Sequence, residues 1–235
     1  MPALVFSQES VSQQLWGNAV FGIPKGKHLY LEIDVEPKKQ ISGMDSWGNL
    51  DVTPLIEYYP NSWIDLTGEM TVGYTNQSTA VNTLELTPRL GIRFHLFENV
   101  WQYFETSERI PLSRLTLATF IRLEVRNFWY SIDYDSEHEN RLRLRIESKI
   151  AINHEKLSDD NTIYLFTDAE YYVPFGEDIS ERFASKFRFR IGPGYRLTYA
   201  NRFELLFIYD FARDTLYDNV DRDAIALDLR FKFYF

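Results

Sequence analysis

Asp223-Ala-Ile-Ala-Leu-Asp-Leu-Arg-Phe-Lys-Phe-Tyr-Phe235 decides the fold. Ile225, Leu227, Leu229, Phe231, Phe233 and Phe235 take every second position, so an extended chain puts them all on one face. The same period runs through the rest of the chain. Over 84–96, Leu84, Leu86, Leu90, Ile92, Phe94 and Leu96 oppose Glu85, Thr87, Arg89, Arg93 and His95. Over 115–126, Leu115, Leu117, Ile121, Leu123 and Val125 oppose Thr116, Phe120, Arg122, Glu124 and Arg126. Over 141–150, Leu142, Leu144, Ile146 and Ile150 oppose Arg141, Arg143, Arg145, Glu147 and Lys149, and 183–199 repeats the scheme.

Further strands are predicted over 13–21, 27–36, 50–59, 62–75, 162–173 and 202–213. Turns are signalled at Pro24-Lys25-Gly26, Pro60-Asn61, Asn76-Gln77-Ser78, Ser158-Asp159-Asp160-Asn161 and Asp218-Asn219. Many of these strands reach the roughly 9–11 residues that a tilted strand needs to cross a bilayer. Soluble sheets use strands of roughly 5–6 residues. In water the apolar face of such a sheet packs inward; in lipid it turns outward and the charged face lines the lumen. Length favours lipid. Aromatics near strand ends do too, as girdles at headgroup depth: Tyr58, Tyr59 and Trp63; Phe128, Trp129 and Tyr130; Tyr171 and Tyr172; Tyr195 and Tyr199; Tyr209 and Phe211. The last strand, with Phe231, Phe233 and Phe235, resembles the terminal insertion signal of bacterial outer-membrane barrels. The expected fold is all-β, a closed antiparallel transmembrane barrel. Eleven strands can be counted. Bacterial single-chain barrels have even numbers, so about twelve are expected, with about ten as the alternative. The additional strand would come from 99–107 or from the N-terminal segment.

Composition agrees with a barrel and excludes other classes. The chain has 235 residues, room for one sizeable domain, and is 45% hydrophobic and 16% aromatic. Its mean hydropathy is nevertheless −0.31. No apolar stretch approaches the roughly 18–20 residues of a spanning helix. Disorder is excluded by 18 Phe, 15 Tyr and 5 Trp. There is no cysteine, hence no disulfide or thiolate metal site, and a net charge of −9 argues against nucleic acid as a partner. Residues 1–12 are expected to be an N-terminal tail or the remnant of an export leader (Ala3 to Ser7), and 13–235 a single barrel.

The C-terminal two-thirds also resembles a family of outer-membrane proteins catalogued as domain of unknown function 2490. The residues that carry this are Arg122-Leu-Glu124-Val-Arg126, Asn140-Arg-Leu-Arg-Leu-Arg145 and Phe166-Thr-Asp-Ala-Glu170-Tyr-Tyr. Arg188-Phe-Arg190-Ile-Gly192-Pro-Gly194-Tyr-Arg-Leu, Glu204-Leu-Leu-Phe-Ile-Tyr209 and an early Trp16 complete the pattern. The resemblance covers 115–235 well and implies an outer-membrane barrel, with no established activity.

With the apolar face outward, the charges sort into two walls. Glu32, Asp34, Glu36, Asp51, Glu57, Asp65 and Glu69 point inward from the first third. Arg89, Arg93, Arg122, Arg126, Arg141, Arg143, Arg145, Lys149, Lys186, Arg188, Arg190 and Arg196 point inward later, interleaved with Asp168, Glu170, Glu204 and Asp210. An open lumen of this kind favours small anionic solutes along the arginine track. A closed lumen would instead be filled by the same charges as a salt-bridge network, in a structural or partner-docking barrel. A membrane enzyme is the third reading, without a convincing catalytic constellation. His28, His95, His138 and His154 read as solvated or lumenal residues, and no Gly-x-Ser-x-Gly occurs. Asp168 and Glu170 suit pairing with Arg143 or Arg188 better than acid–base work. The acidic loop Asp133, Asp135, Glu137, His138 and Glu139 reads as solvated rather than as a metal site, and no cofactor is implied. The expected partners are the outer-membrane bilayer, the barrel-insertion machinery and small anionic solutes.

Overall fold

The computed structural model describes residues 11–26, 28–42, 47–61, 63–77, 81–96, 114–131, 136–175, 184–214 and 220–235. They form β1 (Ser12–Lys25), β2 (Leu29–Ser42), β3 (Trp47–Asn61), β4 (Ile64–Gln77), β5 (Thr83–His95) and β6 (Leu115–Tyr130). β7 (Glu137–Ala151), β8 (Thr162–Phe175), β9 (Ala184–Arg196), β10 (Asn201–Asp214) and β11 (Val220–Tyr234) follow. Every strand pairs antiparallel with its neighbours in sequence, and β1 pairs with β11 in parallel to close the barrel. Strands run from 13 to 16 residues, long enough to cross a bilayer at a tilt.

Among the described residues the count is eleven, where an even number near twelve was expected. An odd count leaves the first and last strands pointing the same way, so the seam from Ser12↔Ala224 to Gly22↔Tyr234 has the slanted bonds of a parallel pair. Residues 99–107 and 1–10, the expected sources of a further strand, lie outside the described residues.

The faces are inverted relative to a protein folded in water. Leu90 is 69% exposed, while Glu124, Glu170 and Asp228 are 0% exposed. Leu15, Ile33, Ile56, Val72, Leu144, Ile146, Phe207, Leu229 and Phe231 join Leu90 on the outer surface. An exterior of this kind suits hydrocarbon, and the charges are withdrawn into the lumen.

Period two also splits adjacent aromatics. Tyr58, Trp129 and Tyr171 are exposed on the outer wall, but their neighbours Tyr59, Phe128 and Tyr172 line the lumen. Half of the expected girdle residues in these pairs are therefore internal. The outer girdle keeps Tyr58 and Trp63 at one end and Trp129 and Tyr171 at the other.

Four prolines stand two or more residues inside strands that have no free edge. Ladder pairing lapses beside each: Pro37 between β1 and β2, Pro54 between β3 and β4, Pro88 between β5 and β6, and Pro193 between β9 and β10. Proline has no N–H to give the ladder. Gly91 and Gly194, both inward, are covered by rings. A Cβ at Gly91 would strike the Phe120 ring, and one at Gly194 would strike Tyr164, whose Oη donates to Glu204 at 2.7 Å. Gly194→Val is expected to displace that ring and destabilise the barrel by about 1–3 kcal/mol, read as a lower urea midpoint in detergent micelles.

Candidate functional site

The side chains inside the barrel surround a cavity of about 960 Å³. Its lining reaches Gly26, His28, Asn61 and Tyr234 at the end where β11 finishes, and Gln14, Trp47, Gln77 and Phe128 at the end where β1 starts. These ends are called the C-terminal and N-terminal rims below.

Register builds the charge pattern. Glu69, Arg89, Glu124 and Arg141 stand directly opposite one another in turn across β4, β5, β6 and β7. Asp168 faces Arg190, and Glu170 faces Arg188, across β8 and β9; Arg188 then faces Asp210 on β10. Opposite charges in such cross-strand pairs stabilise a sheet, and inside a barrel they also satisfy one another's desolvation.

Two carboxylates organise the centre. Glu124 receives Arg141 at 2.6 Å and Arg122 at 3.0 Å, with Arg89 and Arg143 both at 3.4 Å. Glu170 receives Arg143 at 2.5 Å and Arg190 at 2.7 Å, with Arg145 at 3.5 Å. Asp168 holds Arg145 and Arg190, both at 2.7 Å. The side chains of Glu124, Asp168 and Glu170 are 0% exposed, whereas Arg89, Arg143, Arg145 and Arg188 keep 11–17%. The carboxylates therefore lie behind, and the guanidiniums face the cavity. Rings support these cations from the side: Tyr172 lies 4.7 Å from Arg141 and 5.1 Å from Arg143, and Phe120 lies 5.2 Å from Arg122.

The opposite wall, from β2 to β4, presents carboxylates. Glu32, Asp34, Asp51, Glu57, Asp65 and Glu69 line the cavity. Lys38 joins Glu36 at 2.9 Å and Asp51 at 2.8 Å; Arg93 reaches across to Glu57 at 3.0 Å. Tyr30 donates to Glu32 at 2.5 Å and Asn18 to Asp34 at 2.7 Å.

Of the residues singled out from sequence, Arg89, Arg93, Arg122, Arg126, Arg141, Arg143, Arg145, Lys149, Arg188, Arg190 and Asp210 also line the cavity. Asp168, Glu170 and Glu204 point inward but are covered by cations, so they are not part of its surface. Lys186 is a correction. Pairing slips from Phe211↔Phe187 to Ala212↔Ser185, leaving Lys186 as the extra residue of a bulge, and its ammonium rests 5.2 Å from the Phe211 ring. Ser185 takes the inward place and donates to Asp210 at 3.1 Å. Arg196 stands at the C-terminal rim directly opposite Arg202, and unlike Arg202 it is not part of the cavity lining.

Beyond the two walls expected from sequence, Glu85, Glu124, Glu139, Glu147, Arg202, Asp228, Arg230 and Lys232 also point inward. Their alternation with outward apolar residues was the available signal. The basic wall is consequently studded with acids; Arg126, for example, lies between Glu85 at 3.0 Å and Glu139 at 3.1 Å. His28 Nδ1 lies 2.7 Å from the Tyr59 carbonyl, and His95 Nε2 lies 2.5 Å from Asp65. Glu137 accepts from Tyr130 at 2.8 Å, while Asp133 and Asp135 lie outside the described residues. Among the described residues no group of three or more His, Asp or Glu side chains is arranged to hold a metal ion.

Among the described residues Arg141 forms an ion pair only with Glu124, so Glu124→Gln strands a buried guanidinium and weakens three others. A loss of about 3–5 kcal/mol is expected in urea unfolding of the micelle-bound barrel. Glu36→Gln leaves Lys38 its bond to Asp51 and is expected to cost less than about 1 kcal/mol.

No curated protein matches the chain. Among solved structures, a NanC porin in a rhombohedral crystal form is 12% identical over 94% of this chain and 98% of its own, with a TM-score of 0.45. A family model described as protein of unknown function (DUF2490) matches residues 13–221. The chain belongs to that family, and its member described above is a closed β-barrel with an apolar exterior and a lumen of paired charges.

Proposed function

We propose that this protein is a narrow passage for small anionic solutes across the bacterial outer membrane. The observation that carries the reading is a cavity lined from one rim of the barrel to the other. Its two long walls differ. On β5 to β9, the guanidiniums of Arg89, Arg143, Arg145 and Arg188 face the cavity in front of the buried Glu124, Asp168 and Glu170, with Glu85 and Glu147 also in the lining; on β2 to β4, carboxylates predominate. A transverse field of this kind orients a charged solute and gives its anionic groups a continuous track of planar, permanently charged donors. Ion pairs along the wall keep those donors fixed, so a passing anion meets them without reorganising the lumen. The apolar exterior, the strand length and the terminal alternation ending on Phe231, Phe233 and Phe235 support insertion in the outer membrane, with the barrel-insertion machinery as a partner.

A second reading, a closed structural barrel, draws on the density of the central network around Glu124 and Glu170. Planar-bilayer recording separates the two. Discrete conductance steps are expected, with a reversal potential under a salt gradient that reports anion preference. Arg93 and Lys149 keep 29% and 25% side-chain exposure, and Arg93→Gln with Lys149→Gln is expected to shift the reversal potential toward cations without unfolding the barrel. Silence from a folded, heat-modifiable barrel would overturn the passage and leave the structural reading.

A further inference from the structure

One row of the lumen breaks the pairing rule. At the C-terminal rim, Arg196 on β9 stands directly opposite Arg202 on β10, and Arg202 stands directly opposite Lys232 on β11. Like charges in facing positions destabilise a sheet. Lys232 is compensated by Glu204 at 3.0 Å. Arg196 and Arg202 have no carboxylate within ion-pairing distance among the described residues, whereas Arg89, Arg93, Arg122, Arg126, Arg141, Arg143, Arg145, Arg188, Arg190 and Arg230 each have at least one. Proximity of cations alone does not set the pair apart. Arg122 and Arg143 are also directly opposite, but Glu69, Glu124 and Glu170 hold them.

The Nε atoms of Arg196 and Arg202 are both buried without a hydrogen-bond partner, as are those of Arg89, Arg122, Arg143 and Arg145, but only the latter four have carboxylates among the described residues. Arg202 rests 4.8 Å from the Tyr234 ring, which fixes its plane, and lines the cavity together with Lys232, Lys149 and Tyr234. A guanidinium binds an oxyanion through two parallel N–H donors, and two such forks side by side suit a group with several equivalent oxygens.

We propose that Arg196 and Arg202 form an oxyanion-binding site at the C-terminal rim, taking the carboxylate, phosphate or sulfate group of a solute. The site deepens, and rests on, the anion-passage reading by naming the group recognised at the mouth. Binding there offsets the mutual repulsion of the two guanidiniums, so the anion stabilises the fold by mass action.

The test is urea unfolding of the full chain, refolded in maltoside micelles, in chloride and in inorganic phosphate at matched ionic strength. The wild-type midpoint is expected to rise with phosphate and to saturate. Arg196→Gln with Arg202→Gln is expected to have a midpoint in chloride equal to or above the wild type, because repulsion is relieved, and to lose the saturable rise. Any unsaturating rise common to both proteins is the general effect of an excluded salt. A double variant that keeps the saturable rise would overturn the site, as would one less stable than the wild type in chloride, which would make the pair a brace. Phosphatidylglycerol added to the micelles distinguishes the source of the oxyanion. If the lipid raises the wild-type midpoint and abolishes the phosphate response, the occupant is a headgroup and the solute assignment falls. A saturable phosphate response in a barrel that is silent in bilayers overturns the passage alone; a conducting barrel without that response overturns the site alone.

Discussion

Backbone hydrogen bonding in hydrocarbon is the constraint on which everything else in this molecule depends. An unpaired N–H or C=O in lipid costs several kcal/mol, so a sheet can cross the bilayer only if it closes on itself. Closure gives each strand two neighbours and assigns its side chains to lipid or to lumen by position alone. The eleven described strands achieve this with a parallel seam between β1 and β11, and the pairing lapses beside Pro37, Pro54, Pro88 and Pro193 mark where the backbone departs from the rule. The inverted surface, with Leu90 outside and Glu124 inside, follows from that closure.

Closure also confines the charges. Side chains on the inner face cannot turn away to bulk water, and an ion withdrawn from water is tolerable only when paired. Strand register supplies the pairs: in the row Glu69, Arg89, Glu124 and Arg141 the sign alternates at every step around the wall. Burial then adds depth. Glu124, Asp168 and Glu170 are sealed behind guanidiniums, so a wall in which bases already outnumber acids presents mainly cations.

Which face each residue takes was legible in the sequence, because period two needs no knowledge of the partner strand. Leu84 to Leu96 and Leu115 to Val125 could be assigned to lipid by counting, and the charged face followed. Pairing was less legible. That Glu170 should meet Arg143, Arg190 and Arg145 depends on register across three strands, which turns and closure fix together. The bulge that takes Lys186 out of the lumen has no sequence mark beyond an ordinary alternation. Girdle aromatics were over-assigned for a related reason: clustering near strand ends identifies the membrane interface, but Tyr58 and Tyr59, or Tyr171 and Tyr172, must point to opposite sides of the wall. Strand number depended on a parity rule, and the parallel seam departs from it.

The contrast between the centre and the C-terminal rim bears on how the lumen divides its work. Arg122 and Arg143 at the centre have the same facing geometry as Arg196 and Arg202 at the rim, yet among the described residues only the central pair is given carboxylates. If burial of charge were the only demand on the sequence, the rim would be the easier place to omit a guanidinium or to add an acid, since water is closer there. The reverse is found. Each central guanidinium is held by its neighbours and adds rigidity, whereas the rim pair is not committed to a carboxylate among the described residues. The lumen is thus braced in the middle and receptive at its edge, the arrangement expected if solutes are gathered at the mouth and then passed along a wall that does not rearrange to admit them.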